Sequence, residues 1–370
     1  MNYIKNQKPD FKLALLAIGL SVFGLIMIAS ASSVVAYEKF QGARDYYYVY
    51  RQAIALVIGL AMMSLFSNID YLKLKRLSVP VMLASVVLLI IVFLPGIGVE
   101  SKGAQRWINL GFTTLQPSEL VKITFIIYLS AWLESRKGQL GSVLGALLPF
   151  VAMIGLIALL IIMQPDLGTL TIIILTSSIL FYTAGAPKWQ ISSLGLLLLT
   201  VFIVFIRSAA YRWERFITFL NPSSQTLDQG YHVNQAFIAV GQGGFWGRGF
   251  GLSIQKMRYL PETYTDSIFA IIAEELGFFR SAILVIAFIY LFILGANIAK
   301  KAPDTFGRLL ALGLSTSIII QAFVNIAAML GMVPLTGVTL PFISFGGTSL
   351  VITFIQIGIL LNISKNGIES

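Results

Sequence analysis

The sequence has no cysteine and a single histidine, His232, in 370 residues. Disulfides, thiolate nucleophiles and cysteine-ligated metals are therefore excluded, and one imidazole cannot build a serine–histidine–aspartate triad or a histidine-rich metal centre. A lone histidine in a loop reads first as a solvated or hydrogen-bonded structural group. Charge is scarce as well: charged residues are 11% of the chain and only 16 are acidic. Against that stand 57% hydrophobic residues, in runs of membrane length that recur from end to end and that a water-soluble fold would not tolerate.

These runs predict an all-α polytopic membrane protein, one integral membrane domain over residues 1–370 with about ten transmembrane helices. The expected spans are about 13–36, 52–67, 79–94, 119–133, 143–163, 169–186, 191–206, 267–298, 309–333 and 343–363. The first follows Lys5, Lys8 and Lys12 and reads as a retained anchor rather than a cleaved leader. With both termini cytoplasmic, the inner segments hold those lysines together with Lys73, Lys75, Arg76, Arg136, Lys137, Lys188, Lys300, Lys301, Arg308 and Lys365, whereas the short outer loops hold Lys39, Arg44, Arg51, Lys102 and Arg106. That asymmetry fits the positive-inside rule. The net charge of +10 is then mainly a topology signal and gives no reason to invoke nucleic acid.

One outer segment, residues 207–266 between the seventh and eighth spans, is long and differs in composition. It carries Arg207, Arg212, Arg215, Arg248, Lys256 and Arg258 with aromatic residues interleaved, against Glu214, Asp228, Glu262 and Asp266. Long loops of this kind are usually functional, and basic residues in them suit a phosphate-bearing ligand. Within it, "GQGGFWGRGFG" matches neither nucleotide-loop pattern in register. Two readings remain for it: a tight turn that lets backbone approach backbone, or bare amides that meet an anion beside Arg248. Residues 331–348, rich in proline and glycine, cannot be continuous helix, so they must be buried in protein or line a wet cavity.

Charges at membrane depth are costly and informative. Glu119 and Lys122 lie three apart and read as a structural pair. Asp166 in "QPDLG" stands where a carboxylate caps a helix, with function an equal alternative. Asp266 opens the eighth span, with Ala270, Ala273 and Gly277 on the same face. Either Asp266 is an N-cap, or it is a functional carboxylate above a small-residue column suited to close packing within the bundle or against a partner's helix. Glu275 falls on the opposite side, so Glu274 and Glu275 read as separate anchors near the interface, with Arg280 nearby.

"KGAQRWINLG", "QPSEL", "QPDLG", "YRWERFITFLNP", "QAFIAVGQGGFWGRGFG", "YLPETYTDSIFAIIAEELGF" and "PLTGVTLPFISFGGTSL" together resemble, in order and from first span to last, the SEDS family of bacterial cell-wall polymerases (FtsW/RodA/SpoVE-like), and are closer to its division branch, FtsW. The resemblance implies a ten-helix glycosyltransferase of the bacterial cytoplasmic membrane. It would polymerise lipid II onto an undecaprenyl-linked glycan strand on the extracytoplasmic side. The implied partners are a class B penicillin-binding protein and other proteins of the division or elongation complex. By resemblance, Asp266 falls on the family's essential aspartate and Asp166 on a second acidic position. Where an acidic residue is common eight before that aspartate, this chain has Arg258, and Ser267 replaces the usual aromatic.

Under that reading Asp266 is the catalytic base, because a sugar hydroxyl is a poor nucleophile until a positioned carboxylate takes its proton. Lys102, Arg106, Arg212, Arg215, Arg248 and Lys256 are the candidates for meeting the pyrophosphate, with Asp166 and Glu262 as further substrate-binding candidates. A divalent cation, Mg or Mn, is left open, since no Asp-x-Asp motif is present. Two competing expectations are a lipid-precursor flippase or transporter, for which broken helices are equally suited, and a non-catalytic scaffold for a transpeptidase that docks on the small-residue face.

Overall fold

The computed structural model describes residues 8–101, 104–109, 111, 114–207, 213, 217 and 229–367. The helices are α1 (Phe11–Phe40), α2 (Tyr47–Asn68), α3 (Tyr71–Arg76), α4 (Ser78–Ile91), α5 (Pro117–Ser135), α6 (Leu148–Met163), α7 (Leu167–Ala184), α8 (Lys188–Arg207), α9 (Gln229–Gly243), α10 (Ile268–Lys301), α11 (Thr305–Met329) and α12 (Gly347–Lys365). One π turn, Val143–Leu147, leads into α6. Every expected span coincides with a helix. Among the described residues seven are long and apolar enough to cross a membrane, while Ser78–Ile91 and Lys188–Val204 are shorter apolar helices. α5 is long enough at 19 residues, but Glu119, Lys122 and Glu134 interrupt its apolar character.

Three departures from the sequence reading follow from local chemistry. First, the fold is not purely helical. β1 (Gly98–Ser101), β2 (Ala104–Asn109) and β3 (Thr114–Leu115) form an antiparallel sheet in the order β1-β2-β3. Thr348 at the start of α12 donates to the Thr114 carbonyl at 2.9 Å and ties the sheet to the bundle. Second, α9 lies inside the segment expected to be one long loop. Third, α11 starts early, at an Asp304 cap whose Oδ1 accepts from Gly307 N at 2.8 Å, and α12 starts only at Gly347. Residues 330–346 between them are irregular, as their prolines and glycines require.

The bundle is built on α12 against α2, α10 against α11 and α1, and α5 between α4, α7 and α11. Its most consequential irregularity is in α10, where Gly277 takes φ 76°, ψ −177° and breaks the helix. Only glycine populates that region at low cost. A break inside a bundle strands carbonyls before it and amides after it, and both need partners. The glycine-rich segment supplies them: Arg248 N donates to Glu274 O and Gly249 N to Glu275 O, both at 3.0 Å, while Phe278 N donates to Gly244 O at 2.9 Å and Phe279 N to Phe245 O at 3.3 Å. The approach is so close that a Cβ on Gly277 would lie 2.2 Å from Gly247 N, and one on Gly243 would lie 2.0 Å from Ala273 O. The glycines therefore serve backbone-to-backbone contact, and the amides of Arg248 and Gly249 are held by α10. Ala273 and Gly277 are covered by this segment, so the small-residue column presents no free face for a partner's helix at those positions.

Candidate functional site

Asp266 stands in the turn just before α10, half-buried. The N-cap of α10 is Ser267, not Asp266. The backbone that carries the carboxylate is fixed by α11: Asn325 Nδ2 donates to the Asp266 carbonyl and to the Val338 carbonyl, each at 2.7 Å. One turn of α11 earlier, Gln321 donates to Thr339 O at 3.0 Å and accepts from Lys122 Nζ at 2.6 Å. This polar stripe at i, i+4 supplies the donors that irregular backbone at membrane depth must find. Lys122 also pairs with Glu119 at 2.9 Å, both buried, so this ion pair supports the stripe. The stripe was within reach of the sequence, as two amide side chains at helical spacing in an apolar run.

Gly337 and Thr265 are both near the Asp266 side chain. Gly337 of the irregular segment lies against it, with an ideal Cβ there 3.9 Å from Asp266 Oδ2. Thr265 Oγ1 is 3.2 Å from Asp266 Oδ1 and 2.8 Å from Glu262 Oε2, so one hydroxyl lies within reach of both carboxyl groups and can donate to either. Glu262, at φ 53°, lines a cleft of about 300 Å³ together with Val35, Lys256, Arg258, Leu260, Pro261, Thr263 and Tyr264. Burial, then the hydrogen bond and charge interaction with Tyr48, push the Tyr264 phenol above its ordinary range, and Glu262 adds to this. The Tyr264 and Tyr48 rings lie 4.4 Å apart, both beside Phe345, which closes this side of the cleft with aromatic surface.

Asp166 belongs to a segment that packs on the same irregular strip. A Cβ on Gly168 would lie 2.2 Å from Val338 Cγ2 and 2.8 Å from Thr336 O, so "QPDLG" packs directly on the strip that adjoins Asp266. Asp166 is the N-cap of α7, accepting from Thr169 N at 3.2 Å, and it also accepts from Thr169 Oγ1 at 2.8 Å, Ser118 Oγ at 2.9 Å and Gln116 Nε2 at 3.2 Å. At 5% exposure, with these bonds, it organises the junction of "QPSEL" and "QPDLG" and has little room for a ligand. Arg106 from β2 reaches the same junction, donating from Nε to Gln164 O at 2.8 Å and from Nη2 to Pro165 O at 2.6 Å. A guanidinium has five N–H groups, so these two bonds leave donors for an anion.

Lys256 and Arg248 do not join this group as the sequence reading expected. Lys256 is 4% exposed, and its ammonium is held by Glu275 Oε1 at 3.1 Å, Ser30 Oγ at 3.0 Å and Gly251 O at 2.6 Å. All three of its donors are engaged inside the protein, which removes it as a pyrophosphate ligand although its side chain lines the cleft. Arg248 donates to Gln242 Oε1 at 2.7 Å and lies 4.0 Å from Glu274 Oε1, beside the kink. Glu274 and Glu275 are fully buried, which corrects their reading as interfacial anchors. Glu274 accepts from Ser253 Oγ, from Ile254 N at 2.9 Å and from Gln255 N at 3.3 Å. The two glutamates fasten the 248–256 segment to α10, Glu275 through Lys256 and on to α1. Arg258 is ion-paired with Glu38 at the rim of the cleft. Lys102, Arg212 and Arg215 lie outside the described residues. Among the described residues there is no cluster of three or more metal-ligating side chains.

The FtsW/RodA/SpoVE family profile, described as "Cell cycle protein", matches residues 11–368. A probable peptidoglycan glycosyltransferase FtsW of Geobacter sulfurreducens is 37% identical over 98% of this chain and 97% of its own length. The stage V sporulation protein E of Bacillus subtilis is 37% identical over 98% of both chains. Among solved structures, a chain from work on the structural coordination of polymerization and crosslinking by a peptidoglycan synthase complex matches with TM-score 0.80 at 25% identity, covering 98% of this chain and 99% of that one. The rod shape determining protein RodA of Thermus thermophilus, in a variant with one aspartate replaced by alanine, matches with TM-score 0.72 at 25% identity, over 98% of this chain and 99% of that one. With the profile spanning nearly the whole sequence and full-length relatives above one-third identity, the chain belongs to the FtsW/RodA/SpoVE family.

Proposed function

We propose that this protein is a peptidoglycan glycosyltransferase that polymerises lipid II, with Asp266 as the general base. The observation that carries the reading is the placement of Asp266. The carboxylate is half-buried, the N-cap position of its helix is the next residue, and it faces the 336–338 strip beside a cleft lined by Glu262. In the reaction, the 4-hydroxyl oxygen of the acceptor disaccharide attacks the anomeric carbon of the undecaprenyl-linked strand. The new C–O bond forms as the bond to pyrophosphate breaks, with inversion, and the hydroxyl proton passes to the Asp266 carboxylate. Proton acceptance by a positioned carboxylate is worth about 10²- to 10⁴-fold in rate. The Thr265 hydroxyl, in reach of both carboxyl groups, orients Asp266 against Glu262.

The departing pyrophosphate requires cations. Arg106 is placed beside the Asp166 junction with donors to spare, and Lys102, Arg212 and Arg215 remain candidates by sequence. Activity measured in chelator, then with Mg or Mn restored, decides whether a divalent cation on Asp266 and Glu262 assists. The protein sits in the bacterial inner membrane with both termini cytoplasmic and Asp266 on the outer side, where lipid II is presented. A class B penicillin-binding protein is its crosslinking partner, a reading supported by the similarity to a chain of a peptidoglycan synthase complex.

The deciding experiment gives labelled lipid II to the purified protein in liposomes, with and without the matched transpeptidase. Glycan polymer is expected in both, more of it with the partner. Transbilayer movement of lipid II without polymer would replace this reading with a flippase, and no activity of either kind in any condition would leave a scaffold.

A further inference from the structure

His232 is the one histidine of the chain, and no step described above uses it. It lies on α9, and its Nε2 is 2.7 Å from the hydroxyl of Ser267, the residue that directly follows Asp266. We propose that His232 is a positioning residue for Asp266, acting through the Ser267 side chain. This rests on Asp266 being the base.

Ser267 is fully buried and occupies the N-cap of α10, where a serine hydroxyl ordinarily accepts from one of the first free amides of its helix. It makes no such bond, and its hydroxyl faces the imidazole instead. Ser267 N in turn donates to Glu262 O at 3.2 Å, which closes the turn that carries Thr265 and Asp266. The peptide joining Asp266 to Ser267 is thus held from two elements: Asn325 of α11 grips its carbonyl at 2.7 Å, and His232 of α9 holds the side chain on its far end. With both grips in place, the Asp266 Cα and the base from which its side chain projects are held by backbone bonded on both sides of the peptide. With the α9 grip lost, Ser267 regains the choice of turning its hydroxyl back onto the amides of α10, and the peptide can swing about the Asn325 bond. A displacement of about 1 Å in a reacting group can cost on the order of 10² in rate.

α9 is anchored well enough to act as a strut. Ala236 and Ala239 are fully buried, Gly243 meets the backbone of α10 at Ala273, and Phe237 packs on Gly331 just beyond α11. His232 is therefore fixed by packing one to three turns away from its contact with Ser267.

The test is a double-mutant cycle on lipid II polymerisation by the purified protein, with thermal midpoints recorded for every variant. His232→Ala and Ser267→Ala are each expected to lower kcat about tenfold to a hundredfold while KM for lipid II stays within about threefold. The double variant should be no slower than the worse single, because both remove the same contact. His232→Gln, which keeps a hydrogen-bonding group, should return activity to within about threefold of wild type. Losses that multiply in the double variant, a raised KM in His232→Ala, or unchanged rates in both singles would each overturn the proposal. If His232→Ala does not fold, Ser267→Ala and His232→Gln carry the test: equal loss in both, or no loss in Ser267→Ala, would overturn it. Asp266→Asn is run in parallel; polymerisation by that variant at a rate near wild type would defeat the base assignment itself, separately from the role of His232.

Discussion

Replacing Lys256 with methionine keeps most of the side-chain volume and removes the ammonium, with its ion pair to Glu275 and its bonds to Ser30 and Gly251. The carboxylate of Glu275 is fully buried, and Lys256 Nζ at 3.1 Å and Ser30 Oγ at 2.7 Å are the donors to its Oε1. Its other oxygen has no hydrogen-bond partner among the described residues. Without Lys256 a buried charge is left with one neutral hydroxyl, a change that costs about 3–5 kcal/mol when one partner of a buried pair is removed. For a chain of this length that corresponds to a fall of roughly 4–7 °C in the thermal midpoint. Adding Glu275→Gln removes the stranded charge and should restore most of the loss, since a buried pair and a neutral replacement of similar volume are close in stability. The assay is thermal unfolding in detergent for the two singles and the double, with lipid II kinetics on each. If Lys256→Met left the midpoint unchanged and instead raised KM for lipid II, with no recovery in the double variant, then Lys256 would be a substrate ligand and the burial argument would be wrong.

Gly277→Ala should be more damaging than any other single methyl addition in α10, because it combines a backbone conformation costing about 1–3 kcal/mol for other residues with a Cβ 2.2 Å from Gly247 N. Loss of folded protein on size-exclusion chromatography is expected, and a well-folded, active variant would refute the account of the kink. Asn325→Ala leaves the carbonyls of Asp266 and Val338 without their shared donor, a loss of about 2–3 kcal/mol; it should depress kcat at least as far as it depresses stability, and full activity would show that the stripe does not position the base. Tyr264 makes a prediction in pH. Its folded-state phenol holds its proton more tightly than the unfolded chain does, so stability is flat below the ordinary phenol pKa of about 10 and falls as pH rises beyond it. Thermal midpoints between pH 8 and 11.5 should show that fall, and Tyr264→Phe should reduce it; an equal fall in the variant would place the sensitivity elsewhere.

The polytopic helical character was legible because a helix that crosses lipid must be apolar over a fixed length, a constraint that acts on composition alone; seven described helices meet it. Asp266 could be singled out for a related reason, since a carboxylate at the mouth of an apolar run is costly, but its role as a base came from the resemblance and not from its spacing. The kink was not legible. The run around Gly277 reads as one uninterrupted helix, and what breaks it is a backbone exchange with residues 244–249, roughly thirty positions earlier. Lys256 misled for the same reason, since a lysine in a basic loop looks like an anion ligand until the depth of Glu275 is known. The sheet is too short to show a period, and its strands are held by pairing with one another. The contact of His232 with Ser267 joins two elements with no sequence pattern between them, although each residue taken alone was unusual enough to note.

The most direct test of the central claim is polymerisation by Asp266→Asn. The variant replaces one oxygen of the carboxylate with an amide of nearly the same shape, so thermal midpoint and binding to the partner transpeptidase should be preserved. Purified and supplied with labelled lipid II, it should make polymer at a rate lower by about 10² to 10⁴. Glycan synthesis at a rate near that of the wild-type protein would contradict the assignment of Asp266 as the base.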